Sequence, residues 1–168
     1  MAGPVVAAAV IQDTRYKILN TKLRDSKKLS PKARENFYKI LTAHPGIRWG
    51  IGIVSEKVID RINILEATKL AMKKALKKIK ADFLILDGKM KLDSKIPQKS
   101  IVKADEKVFS CAAASILAKV TRDRIMRRYH KKYSQYRFDL HKGYGTKLHF
   151  QMLKRFGRCA IHRNSFNF

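Results

Sequence analysis

Two acidic residues stand where apolar segments end. Asp87 follows Phe83-Leu84-Ile85-Leu86 and precedes Gly88 and Lys89; Asp105, with Glu106 beside it, follows Ser100-Ile101-Val102-Lys103. A carboxylate at the carboxyl end of a strand lies at the rim of a sheet, where α/β proteins hold ligands. Each acid has an ordinary alternative. For Asp87 it is a turn aspartate closing a strand, and for Asp105 an acid complementing a helix dipole. Converging from neighbouring strands, the two would suit a hard cation such as Mg2+ or Mn2+, which takes oxygen ligands and keeps positions for water and phosphate.

A second constellation is His141-Lys142-Gly143-Tyr144-Gly145-Thr146-Lys147. A ring on a glycine-flanked turn is exposed and can stack on a sugar or base while lysines hold phosphates; a tyrosine tucked over a turn is the alternative. Behind Asp105, Ala112-Ala113-Ala114-Ser115 lack bulk and predict tight helix–sheet packing that would hold the acid rigidly. Lys119, Arg122, Arg124, Arg127 and Arg128 follow, either as nucleic-acid backbone contacts or as surface charge. His141, His149 and His162 show no metal-ligand spacing and read as surface or capping residues.

The elements that must position these groups follow from hydrophobic periodicity and turn chemistry. Val5–Ile11 reads as a buried strand, with 17–20 as a candidate hairpin partner and 21–30 as a basic loop. Ser30-Pro31 opens a helix as N-cap and first helical residue. Residues 48–54 form a strand whose Gly50 and Gly52 predict close approach by another backbone. Apolar residues at helical spacing predict a helix over 62–80. Strands at 83–86 and 100–103, a long helix over 109–133 and a short one around 147–156 complete the pattern. Strands alternating with helices mean an α/β or mixed α+β sheet covered by helices.

The 168 residues suggest one domain, and 38 Lys plus Arg against 13 Asp plus Glu give a net charge of +25. Such an excess attracts polyanions, so nucleic acid is the favoured partner; a merely lysine-rich, solvated surface is the alternative. Two cysteines, Cys111 and Cys159, are too few for a disulfide framework or a zinc site. No apolar run approaches the ~18 residues of a membrane span, and a soluble, cytoplasmic protein is expected.

Taken together, AGPVVAAAVI at 2–11, DSKKLS at 25–30, NILEATKLAM at 63–72, LDGK at 86–89, KADEKVFSCAAASILAKVTRDR at 103–124, HKGYGTKLH at 141–149 and IHRNSF at 161–166 resemble ribonuclease HII, the type 2 ribonuclease H family. They do so in the family's order over nearly the whole chain. The resemblance implies a ribonuclease H-like mixed sheet flanked by helices, with a core over 1–133 and a C-terminal helical extension over 134–168. It implies a monomer that cleaves the RNA strand of RNA–DNA hybrids, and single ribonucleotides embedded in duplex DNA, with four carboxylates and Mg2+ or Mn2+. Asp87 matches the third of those carboxylates and Asp105 the fourth. Tyr144 matches the tyrosine that packs on the sugar at the RNA–DNA junction. Lys27, Lys28, Lys119, Arg122, Lys142 and Lys147 are expected to bind the substrate.

One departure accompanies the match. The family opens with a strand carrying an Asp-Glu pair and a Gly-Arg-Gly loop before AGPVV, whereas here Met1 precedes AGPVV directly, and Asp13 is the only acid in the first twenty residues. The expectation is an N-terminally truncated core whose Met1 is an internal methionine of a longer protein. Without a central strand it would leave two strand edges unpaired, and it would cleave inefficiently or only bind hybrid or duplex.

Overall fold

The computed structural model describes residues 1–13, 15–16 and 29–166. The expected hairpin return at 17–20, and Lys27 and Lys28 in the basic loop, lie outside the described residues. Strand β1 (Val5–Gln12) pairs antiparallel with β2 (Ile47–Val54), from Val5 opposite Val54 to Gln12 opposite Ile47. Strand β3 (Leu84–Asp87) pairs in parallel with β4 (Gln98–Ile101), which lies two residues upstream of the expected strand at 100–103. The chain turns away at Val102-Lys103, with Lys103 left-handed at φ 58°. Among the described residues the strands thus form two separate two-stranded ladders, antiparallel and parallel, with helices against both faces of β1.

Helix α1 (Pro31–Ala43) begins as expected: the Ser30 side chain accepts a hydrogen bond from the Ala33 N–H. Helix α2 (Glu56–Leu76) starts earlier than its periodicity suggests and is broken at Asn63, whose φ is 62°. The Asn63 side chain accepts from the Leu65 and Glu66 N–H groups, so it caps the longer second half. That half packs backbone to backbone on β2. A Cβ on Gly50 would stand 2.2 Å from the Ala75 carbonyl oxygen, and one on Gly52 would stand 1.9 Å from that of Ala71. Only glycine allows this approach.

The alternation of β1 sets the two faces of its sheet. Ala7 joins Val54, Ile59, Ala67 and Ala71 on the α2 side. Ala8 and Val10 meet Ala112, Ala113 and Ile116 of α4 (Phe109–Lys132) on the other. A short helix, α3 (Ala104–Lys107), carries Asp105 into α4. After α4 come a 3-10 turn (Ser134–Tyr136), α5 (Phe138–His141) and α6 (Lys147–Phe156). These fold back on the first residues of the chain, where Ala2, Met126, Tyr136, Phe138 and Ile161 form a core cluster. No described helix is long and apolar enough to cross a membrane.

Two expectations of burial fail together. Val5–Ile11 is uninterruptedly apolar, yet only Ala7 of β1 is buried. On β3, Leu84 and Leu86 are buried while Ile85 and Asp87 are exposed. The reason is a shared groove of about 690 Å3 between the two ladders, lined by β1 on one side and β3 on the other.

Candidate functional site

The groove holds the predicted acids. Asp87 and Asp105 both line it, and the Asp87 carboxylate accepts a 2.8 Å hydrogen bond from the Ala104 N–H, the residue before Asp105. One acid therefore pins the backbone that presents the other. Gly88, at φ 86°, turns the chain away behind Asp87. Asp105 is 3% exposed, held where α3 packs on α4. Cys111, one turn into α4, reports the same field: burial, then the two carboxylates, raise its thiol pKa, although a hydrogen bond from Ser110 opposes the shift.

This donor set fits a hard divalent cation in one specific way. Among the described residues no group of three or more His, Cys, Asp or Glu side chains is placed to hold an ion. Two carboxylates are what Mg2+ commonly takes from a protein when waters and substrate phosphate supply the rest.

The second predicted cluster lies further along α4. Tyr144 is half exposed, with its ring 4.5 Å from the Arg122 guanidinium and 4.9 Å from the Lys119 ammonium. Lys119 also pairs with Asp123 at 2.9 Å. Arg122 is buried, and it donates to the Pro4 and Ala2 carbonyls at 3.1 and 3.2 Å. Its guanidinium clamps the start of β1 and backs the tyrosine ring. Lys142 is left-handed and donates to the Asp139 carbonyl, while Lys147 is exposed at the start of α6. Tyr144 does not line the groove that holds the two acids. About 15 Å of helix, from Phe109 to Lys119, separates the two clusters.

Beneath Tyr144 is a network that the sequence reading misses. His141, His149 and His162, expected as surface or capping residues, are buried, and His141 and His162 accept from the backbone N–H groups of Gly143 and Cys159. His149 Nδ1 meets the Tyr144 carbonyl at 2.9 Å, and its Nε2 meets His162 Nε2 at 3.0 Å. His162 Nδ1 accepts from the Cys159 N–H at 2.8 Å. These partners fix the tautomers: His149 donates from Nδ1 and accepts at Nε2, and His162 donates from Nε2. His141 accepts from the Gly143 N–H at Nδ1 and donates from Nε2 to the Tyr136 carbonyl. All three rings are neutral donors and acceptors. Burial pushes the pKa values of His149 and His162 down to about 4. Arg163 completes the clamp by donating to the Gly3 carbonyl at 3.0 Å; burial and the nearby Arg122 charge lower its pKa to about 10. The one signal in the sequence was the placement of His141 and His149 on either side of Tyr144.

The family model described as ribonuclease HII matches residues 1–168. The chain belongs to the ribonuclease HII family. It is 49% identical over 169 residues to the ribonuclease HII of Chlamydia muridarum, covering 99% of this chain and 76% of that protein. It is 53% identical over 170 residues to that of Acetivibrio thermocellus, covering 99% and 64%. Among solved structures it resembles the Archaeoglobus fulgidus protein in "Structure of the PCNA:RNase HII complex", with a TM-score of 0.79 at 24% identity over 99% of this chain and 89% of that one. The Pyrococcus horikoshii ribonuclease H2 gives a TM-score of 0.58 at 21% identity over 91% and 93%. These likenesses show that the chain has a ribonuclease H-like fold.

Proposed function

We propose that this chain is a metal-dependent endonuclease that cuts the RNA strand of RNA–DNA hybrids and single ribonucleotides in duplex DNA, with Asp87 and Asp105 as cation ligands. The observation that carries the reading is their convergence: the carboxyl end of β3 and the turn before α4 deliver two carboxylates to one groove, tied by the Asp87–Ala104 hydrogen bond. A Mg2+ or Mn2+ ion bound there would supply Lewis-acid stabilisation of charge on the phosphate and a water acidified for attack. The chain's own part is to hold Asp105 rigid, to attract the polyanion with its +25 charge and to present Tyr144. Backed by Lys119 and Arg122, the Tyr144 ring offers a stacking surface for a sugar, where the 2′-OH distinguishes RNA from DNA.

A second reading is a protein that holds hybrid or duplex and cuts it poorly. The acidic set among the described residues favours it, since two carboxylates hold one cation and a two-cation site ~4 Å across needs more. End-labelled duplex carrying one ribonucleotide, incubated with Mg2+, with Mn2+ or with EDTA, separates the two. The nuclease reading expects strand scission only with the cation. The second expects salt-sensitive binding that EDTA leaves unchanged, with no scission.

A further inference from the structure

The Tyr144 peptide is held on both sides by histidines. Its N–H donates to the His141 carbonyl at 2.9 Å, and its carbonyl accepts at 2.9 Å from both the Thr146 N–H and His149 Nδ1. The His141 and His149 rings stack, with centroids 4.3 Å apart and planes 15° from parallel. The loop itself supplies little restraint. Tyr144 lies between two glycines, and Gly143 is at φ 76°, where a residue without a side chain turns at no steric cost.

The bonds that end at Tyr144 run in one direction. The Cys159 N–H donates to His162 Nδ1, His162 Nε2–H donates to His149 Nε2, and His149 Nδ1–H donates to the Tyr144 carbonyl. Each donor in such a chain is polarised by the one behind it, which strengthens the last bond. The side chain served by this buried relay is half exposed, with its ring against Lys119 and Arg122. A recognition ring displaced by ~1 Å no longer meets its target. His149 also donates its backbone N–H to Thr146 Oγ1, the cap of α6, so loop and helix are fixed together.

We infer that His149 is a positioning residue for sugar recognition. Its Nδ1–H holds the Tyr144 ring where a ribose is told from a deoxyribose, while the imidazole, fully buried, never meets the nucleic acid. The inference rests on the reading of Tyr144 as the sugar contact. Losing the Nδ1 donor lowers the preference for a ribonucleotide and leaves the sugar-independent hold on phosphates intact.

Two substitutions in the full chain separate positioning from stability. The side-chain amide of asparagine stands near the place of Nδ1, and that of glutamine reaches to the place of Nε2. His149→Asn therefore keeps the bond to Tyr144 and drops the one to His162, and His149→Gln does the reverse. Anisotropy at fixed salt, with EDTA so that nothing is cut, gives Kd for a single-ribonucleotide duplex and for the same duplex in all-DNA form. The preference for the ribonucleotide should fall about threefold or more in His149→Gln, the worth of one neutral hydrogen bond. It should stay within about twofold of wild type in His149→Asn, and His149→Gln should add nothing to Tyr144→Ala. Without nucleic acid, NMR Overhauser contacts from the Tyr144 ring to Lys119 and Arg122 should persist in His149→Asn and vanish in His149→Gln. Should His149→Gln not fold, His162→Asn, which keeps the Cys159 bond and cuts the link to His149, takes its place with the same expected fall.

Equal weakening of both duplexes, equal losses in the two His149 variants, unchanged ring contacts in His149→Gln, or a glutamine effect that survives in Tyr144→Ala would each overturn the proposal. Failure of the underlying reading looks different: the wild-type chain would then bind the two duplexes equally, which overturns both.

Discussion

The two halves of α4 serve regions built on opposite principles. At its carboxyl-terminal end, polar groups are buried and every one of the three histidine rings is satisfied, with Phe138 fully buried among them. At its amino-terminal end, apolar strand edges are left open and two carboxylates face a groove. Burying a polar group is tolerable only when its hydrogen bonds are made, and the histidine network meets that demand within one cluster. The groove meets no equivalent demand from the described residues. The difference shows where rigidity and openness lie: one end fixes the pose of Tyr144, and the other leaves two carboxylates and apolar strand edges lining a groove.

Four experiments break or sharpen that contrast. The largest effect is expected at the open end. Asp87→Asn or Asp105→Asn should lower cation-dependent cleavage of hybrid by about 100- to 1,000-fold while leaving the melting temperature nearly unchanged, since asparagine at 87 still accepts from the Ala104 N–H. At the closed end the largest effect is on stability. Phe138→Ala removes a fully buried ring and should cost about 3–5 kcal/mol in urea unfolding.

The closed end should also be the acid-sensitive one. His149 and His162 titrate near 4 when folded, below the ordinary 6.5, so between those values the unfolded chain binds more protons. Stability is therefore full above about pH 6.5 and is lost as pH falls toward 4, by on the order of 2–4 kcal/mol. Urea melts at stepped pH measure this, and His149→Gln should flatten the slope. The smallest effect is on binding. Tyr144→Ala should weaken affinity for a single-ribonucleotide duplex by about tenfold, as expected for one lost stacking contact. Affinity for all-DNA duplex should change less, as measured by anisotropy at fixed salt.

The sequence shows the open end better than the closed one. Asp87 is legible because a carboxylate at a strand terminus is a local pattern, Asp105 because it follows a strand closely and opens a helix, and Gly50 and Gly52 because close approach leaves no alternative to glycine. The cap at Ser30 is equally local. The histidine network is not legible, because its partners come from residues 136, 144 and 159, and a histidine's burial depends on packing that periodicity does not encode. Arg122 misleads for the same reason. In sequence it is one of a run of cations, yet in space it is buried against the carbonyls of Ala2 and Pro4. The incomplete burial of β1 departs from the expectation of a buried strand, because hydrophobicity predicts a demand for burial and not whether a neighbour meets it.

In the proposed function Asp87 and Asp105 jointly hold one divalent cation. Mn2+ titration followed by EPR, with the chain bound to a single-ribonucleotide duplex, tests it most directly. One Mn2+ should bind, with an affinity that falls at least about tenfold in Asp87→Asn and again in Asp105→Asn. Undiminished Mn2+ uptake by both variants would contradict it.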